Sequence, residues 1–482
     1  MFKNDFLFGV SLSGMQFEMG SIKDLDDRTD WYKWTTDKMN IIAGIVSGDR
    51  AENGSNYWNQ YEEDHSNMVK YGMNAIRIGV EWSRIFPEST ENIFAKIERD
   101  GDKIYNVEVT EETISELEKV ANMEAVEHYK KILKDLKNKG IHVILDLTHF
   151  SLPVWLHDPI KVQRKGLWNV KEQGWVSTLS VTELAKFAGF CVKHFDEFVD
   201  EWSSMNEPQI VSSLGYLLVK SGFPPAYPDE KAYKLSMINQ AQAHARAYDV
   251  IKKYTDKPMG LVYSFTPVYP ESDEAGDCVA KALDFYNFWF MDMITYGNVD
   301  GETREDMKNK IDFIGVNYYT RAVIAKDENS EEGWTVLSDY GYDCEPYSKS
   351  KAGFPTSEMG WEIYPEGIYE VLKFLNERYN LRMIVTENGT ADSEDRVRPF
   401  FVLSHLNQIE KAAEEGIKIE GYLHWSLIDN FEWAEGFSKR FGLMKVDYET
   451  KKRTPRPSLL VYADIIKNKT TKHLIDSVFY MK

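Results

Sequence analysis

The chain has 482 residues, 43% of them hydrophobic and 28% charged, the balance of a soluble globular protein long enough to bury a large core. Its 57 Lys and Arg against 77 Asp and Glu leave a formal charge of −20, which opposes general affinity for nucleic acid or for an anionic membrane surface. No apolar run approaches the roughly 20 residues needed to span a bilayer, so no membrane anchor is expected.

The N-terminus, Met1–Phe6, lacks a basic stretch followed by an apolar core, and no secretory signal is predicted. Eight strand-like runs follow: Phe6–Ser11, Ala75–Val80, His142–Thr148, Glu201–Asn206, Met259–Ser264, Phe313–Tyr318, Met383–Glu387 and Ile419–Trp425. Several are almost continuously apolar, as when both faces of a parallel strand are buried. Helical spacing lies between them. Val126, Tyr129, Leu133 and Leu136 recur at steps of three and four before Gly140, and Leu184, Phe187, Cys191, Val192 and Phe195 repeat the pattern. Strand and helix alternating eight times predict an α/β fold of one domain, residues 1–482, closed as a (β/α)8 TIM barrel. The extra length falls in long βα-loop excursions. Glu88–Asn122, with the hairpin signal Asp100-Gly101-Asp102, is expected on the ligand-binding face of the barrel, and Ala325–Pro355 forms a second excursion. Three widely spaced cysteines, Cys191, Cys278 and Cys344, contain no CxxC pair and predict free thiols and a cytoplasmic location.

Two glutamates stand where buried strands break into loops. Glu207 lies in Ser204-Met205-Asn206-Glu207-Pro208, and Glu387 in Ile384-Val385-Thr386-Glu387-Asn388-Gly389. Inward side chains of a parallel barrel converge at the strands' C-terminal ends. Two facing carboxyls there, one protonated and one ionised, are what cleavage of a glycosidic bond requires. Taken singly, each has a plainer reading: Glu207 as a cap of the following helix, Glu387 as a solvated residue before an Asn-Gly turn. Burial and a second nearby carboxylate should raise the pKa of Glu207 and keep it protonated. None of the ten histidines forms a metal-ligand spacing, and neither metal nor cofactor is expected.

These motifs resemble glycoside hydrolase family 1, which carries Asn-Glu-Pro after strand four and Thr-Glu-Asn-Gly after strand seven. The likeness runs nearly end to end. It includes Trp82-Ser83-Arg84-Ile85-Phe86-Pro87, Gly315-Val316-Asn317-Tyr318-Tyr319, the run from His424 to Trp433, and Lys439-Arg440-Phe441-Gly442. The Glu88–Asn122 excursion and Phe17-Glu18-Met19 look like the archaeal branch of β-glycosidases. The resemblance implies a retaining, exo-acting hydrolase of small β-D-glucosides, β-D-galactosides and oligosaccharides, assembled as a homotetramer, with residues 474–480 as a candidate interface. It implies Glu387 as nucleophile and Glu207 as acid/base, with Arg77 and Tyr319 beside Glu387. Asn206 would hold the sugar 2-hydroxyl; Gln16, His149, Glu432 and Trp433 the 3-, 4- and 6-hydroxyls. Trp425 and Phe441 would face the ring, and Trp361 the leaving group. Retention needs the carboxyls about 5–5.5 Å apart, against roughly 6.5–9.5 Å for inversion.

One position departs from the family's pattern. Phe150 stands where a tryptophan usually follows the histidine, which keeps aromatic bulk but removes an indole N–H. Two alternatives remain. A 6-phospho-β-glycosidase is suggested by Lys439 and opposed by Glu432, whose charge would repel a phosphate. A silent sugar-binding barrel is opposed by the presence of both glutamates.

Overall fold

The computed structural model describes residues 1–330 and 332–479, the side chains of 476–479 aside. Eight parallel strands close into a barrel: β1 (Leu7–Ser11), β2 (Ala75–Gly79), β3 (His142–Asp146), β4 (Glu201–Asn206), β5 (Met259–Ser264), β6 (Phe313–Asn317), β7 (Arg382–Glu387) and β8 (Ile419–His424), with β1 pairing both β2 and β8. Each falls on a predicted run, within two residues at either end. Every residue of β2, β4 and β6 is buried. One face meets the barrel interior and the other the surrounding helices, which is why several of the runs are almost continuously apolar, although Arg77, Ser203, Ser204, Asn206 and Asn317 are buried among them.

The principal helices are α1 (Tyr57–Lys70), α2 (Met123–Asn138), α3 (Leu179–Phe195), α4 (Glu230–Tyr254), α5 (Trp289–Thr295), α6 (Glu366–Tyr379), α7 (Arg398–Glu414) and α8 (Pro457–Asn468). In α2 the predicted residues Val126, Tyr129, Leu133 and Leu136 are all buried. Asn122 caps its first turn, accepting from the Ala125 N–H at 3.3 Å, and Gly140 follows at a positive φ of 72°. The barrel floor is apolar. Leu7, Ala75, Ile144, Phe313, Ile384 and Leu423 pack together inside it. Two residues further along their strands stand Arg77, Asp146 and Thr386, so the interior turns polar towards the C-terminal mouth.

Two strands break the period of two just before the glutamates. Ser203 pairs with Gly260 but Asn206 with Val262, so β4 carries one residue more than β5. Val316 pairs with Val385 but Asn317 with Glu387, so β7 carries one more than β6. A bulge of this kind re-aims the side chains that follow it.

The Glu88–Asn122 excursion is placed differently from expectation. Its hairpin, Lys96–Asp100 paired with Lys103–Glu108, turns at the predicted Gly101-Asp102 but leaves the mouth and lies along the flank. Gln242 of α4 accepts from the Ile104 N–H at 2.7 Å, Arg246 donates to the Ile104 carbonyl at 2.9 Å, and Lys103 meets Glu302, in the loop before β6, at 2.5 Å. The physical reason is apolar cover. Ile104, Val107 and Val109 are buried in the main core, so α3 is enclosed on its outer side too. Ala325–Pro355 stays nearer the mouth, with Ala322–Lys326 and Trp334–Val336 pairing beside Val268–Pro270. The candidate interface 474–480 falls on the helix Lys472–Phe479, with Tyr480 outside the described residues. The three cysteines are free, and among the described residues no helix is long and apolar enough to cross a membrane.

Candidate active site

Glu207 is the first residue beyond β4, at φ 45° and ψ 61°, with Pro208 opening the next helix. The residue before a proline is kept from ordinary helical geometry, and here the chain takes the left-handed region. Glu207 occupies the cap position of that helix but makes no capping bond. Its Oε1 instead accepts from the Asn317 side-chain amide at 2.8 Å. Burial, and then the charge of Glu387, push its carboxyl up to about 8, so it carries its proton at neutral pH.

Glu387, the last residue of β7, is surrounded by donors. Arg77 donates to Oε1 at 2.5 Å and Tyr319 to Oε2 at 2.6 Å. The plainer reading, a solvated turn, does not hold: Glu387, Asn388 and Thr390 are all buried. Gly389 serves close approach here, since a Cβ would come within 1.9 Å of the Trp425 carbonyl oxygen.

Arg77 organises the mouth. The guanidinium also lies 2.5 Å from Asp146 and donates to Asn206 Oδ1 at 2.7 Å, with His149 Nδ1 at 3.3 Å. Burial alone would lower its pKa, but Asp146 and Glu387 hold it above the ordinary value. The Asn206 amide contacts His149 Nε2 at 3.2 Å, and burial holds His149 below its usual range. The His149 ring stacks near Trp425 and Trp433, at centroid distances of 5.6 and 6.0 Å. Phe150 takes a positive φ of 64° and packs behind Trp433 in a separate aromatic cluster with Trp31.

Gln16 reaches Glu432 at 3.3 Å and Asn430 at 3.2 Å. Burial, then Glu387, push Glu432 up to about 8. A protonated Glu432 removes most of the charge repulsion expected against a phosphate. Lys439, however, directs its ammonium to the Glu358 carbonyl at 3.0 Å. On the opposite wall Trp361 sits edge-on to Tyr319 at 5.5 Å and near Phe441 at 6.3 Å. All twelve side chains singled out in the sequence thus come to one end of the barrel.

Three further residues belong to this cluster. Asp146 pairs with Arg77, Asn317 bridges Asn206 and Glu207, and Thr386 donates to Asn317 at 2.8 Å. An Asp inside the apolar run Val143–Leu147 was the available signal for the first. Asn317 lies within a quoted motif without standing out in it. Among the described residues no group of three or more His, Cys, Asp or Glu side chains is arranged to hold a metal ion.

Comparison with known proteins places the chain in a family and agrees with the fold. The family described as Glycosyl hydrolase family 1 matches residues 1–116 and 116–471. A "Beta-galactosidase" of Saccharolobus solfataricus is 46% identical over 471 residues, 97% of this chain and 95% of that protein. The crystal structure of the β-glycosidase from the hyperthermophile Thermosphaera aggregans superposes with a TM-score of 0.95 at 44% identity, covering 98% of this chain and 99% of that one. A β-glucosidase mutant derived from a hyperthermophilic tetrameric structure gives 0.92 at 44% identity, with 98% of each chain covered. The chain belongs to glycosyl hydrolase family 1 and is a glycoside hydrolase on a (β/α)8 barrel.

Proposed function

We propose that this enzyme is a retaining, exo-acting β-glycosidase that hydrolyses β-D-glucosides and β-D-galactosides, with Glu387 as nucleophile and Glu207 as acid/base. The observation that carries this reading is the unequal setting of the two carboxyls. Glu387 has a cation and a phenol on its two oxygens, whereas Glu207 has only neutral donors, the Asn317 amide and the Ser264 hydroxyl, and an anionic neighbour. In the first step an oxygen of Glu387 bonds to the anomeric carbon as the glycosidic C–O bond breaks, and the Glu207 proton goes to the departing oxygen. Forming the ester cancels the charge of Glu387, one of the two causes that raise Glu207. Glu207 is then freer to act as a base. It takes a proton from water, whose oxygen bonds to the anomeric carbon and releases Glu387.

Arg77 and Tyr319 orient the nucleophile. Asn206 is placed for the 2-hydroxyl, Gln16, His149, Glu432 and Trp433 for the 3-, 4- and 6-hydroxyls, Trp425 and Phe441 for the ring, and Trp361 for the leaving group. The names of the relatives, β-galactosidase and β-glucosidase, support both sugar configurations. The engagement of Lys439 by a backbone carbonyl supports an unphosphorylated sugar. We read residues 1–482 as one domain, the free cysteines as supporting a cytoplasmic location, and the tetrameric origin of one solved relative as supporting a homotetramer. Sedimentation at micromolar concentration checks the assembly.

The decisive experiment compares kcat/KM for nitrophenyl β-glucoside, β-galactoside and β-glucoside 6-phosphate while the anomer released is followed by NMR. Rapid turnover of the first two with β-sugar released first is expected. Preference for the phosphate, or first release of the α-anomer, would refute the reading.

A further inference from the structure

Glu81 takes no part in these steps, yet its buried carboxyl ties together two walls of the site. It stands two residues beyond β2 and is 4% exposed. Oε1 accepts the Met15 backbone N–H at 2.8 Å, and Oε2 lies 2.7 Å from the Ser151 hydroxyl. Met15 directly precedes Gln16, within the short turn Gly14–Phe17. Ser151 is two residues beyond His149, and its N–H bonds back to the His149 carbonyl at 2.8 Å. One side chain therefore fixes the segment that presents Gln16 to the segment that presents His149.

The surroundings are built around this carboxyl. A Cβ on Gly14 would come within 2.4 Å of Glu81 Cγ. Beneath it the Glu81 N–H donates to the Tyr129 hydroxyl at 2.9 Å, and that hydroxyl donates to Glu18 at 2.7 Å. Arg84 holds the other oxygen of Glu18 at 2.9 Å, and Ser83 donates to Asp26 at 2.7 Å. Burial, then the charges of Glu18 and Asp26, push Glu81 up to about 8. Its two oxygens thus accept from both walls, Oε1 from the Met15 N–H and Oε2 from the Ser151 hydroxyl.

We propose that Glu81 is a positioning residue for recognition of the non-reducing sugar, setting the separation of Gln16 and His149 and so the placement of the pyranose over Glu387. This rests on the reading of Gln16 and His149 as sugar contacts. Misplacement of a bound substrate by about 1 Å can cost on the order of 100-fold in rate, so a remote clamp of this kind has leverage on turnover.

The test measures kcat/KM of the full-length enzyme on nitrophenyl β-glucoside and on its 3-deoxy and 4-deoxy analogues. Gln16→Ala first defines which hydroxyl that residue senses. Glu81→Ala is expected to lose roughly 30–100-fold on the parent glycoside and less than about threefold on the analogue lacking that hydroxyl. Glu81→Gln should stay within about threefold on all three, because its carboxamide oxygen still accepts from Met15 and its amide can meet the Ser151 hydroxyl, which rotates to accept as well as donate. Ser151→Ala keeps the carboxyl and its Met15 bond, and should repeat the pattern of Glu81→Ala with roughly a 3–10-fold loss. It decides the matter if Glu81→Ala does not fold. Equal losses on all three substrates would overturn the inference and leave Glu81 a purely structural residue. Should Gln16→Ala cost less than threefold on every substrate, the sugar-contact reading itself fails and takes the inference with it.

Discussion

The ends of β4 and β7 invite comparison, since each delivers a glutamate to the barrel mouth past a bulge. β7 delivers Glu387 into a ring of donors, where Arg77 and Tyr319 occupy both oxygens. β4 delivers Glu207 to a place with two neutral donors, the Asn317 amide and the Ser264 hydroxyl, and the charge of Glu387 nearby. The same side chain on the same kind of strand thus holds its proton in one setting and serves as an acceptor of two strong hydrogen bonds in the other. Roles follow from what surrounds each carboxyl, because desolvation and neighbouring charge shift a pKa in proportion to proximity.

Exchanging the carboxyls for neutral groups breaks the comparison most directly. Glu387→Gly should lose roughly 10⁴-fold or more in kcat, since no covalent intermediate can form. Added azide should then yield a glycosyl azide of inverted configuration. Glu207→Ala should lose roughly 10²–10⁴-fold on substrates with poor leaving groups and much less on dinitrophenyl glycosides, and azide should give the retained product. Product NMR checks both, and identical azide anomers from the two variants would mean that the roles are not divided in this way.

A smaller change sharpens the Glu387 side. Tyr319→Phe removes one hydrogen bond to a carboxylate, an interaction of about 1.5–3 kcal/mol, so kcat/KM should fall roughly 10–100-fold with the fold intact. Titration tests the Glu207 side. In the free enzyme kcat/KM should decline as pH rises through about 8, where Glu207 loses the proton it must donate. In Glu387→Gln the Glu207 carboxyl should titrate lower, because a raising charge is gone, and carbon-13 NMR of labelled glutamate reads this out. An unchanged titration would remove Glu387 as a cause.

The smallest effect concerns stability. Glu81, Glu207 and Glu432 are each pushed from 4.5 to about 8 in the folded chain. Across that window the folded state binds more protons than the unfolded one, so these groups favour folding below about 4.5 and lose that contribution as pH rises through 8. Glu432→Gln should therefore gain thermal stability relative to wild type at pH 8 and not at pH 5, measured by calorimetry.

Much of this molecule was legible in advance, for identifiable reasons. A parallel strand buried on both faces tends to be apolar, which made most of the eight runs visible, although β4 carries Glu201, Ser203, Ser204 and Asn206. Asn-Glu-Pro and Thr-Glu-Asn-Gly stood out because carboxyls are rarely put where apolar strands end unless they are used. The bulges in β4 and β7 were not visible, because Ser203-Ser204-Met205 and Val385-Thr386 contain neither glycine nor proline to mark a shift of register. The flank position of the hairpin was hidden for another reason. Its turn is local, but its docking depends on Gln242 and Arg246, about 140 residues away along the chain. Asp146 and Asn317 were missed because each matters only through partners on other strands.

The amino-acid order alone thus determined which segments would be strands, which helices would cover them, and which two glutamates would reach the mouth. These are consequences of period and residue type, and both act over a few residues. Only the closed barrel decided which carboxyl keeps its proton, how Arg77 is shared between Asp146, Glu387 and Asn206, and that Glu81 links the Gln16 turn to the His149 turn. Desolvation and charge depend on distance in space, and these partners become neighbours only when β1 closes on β8.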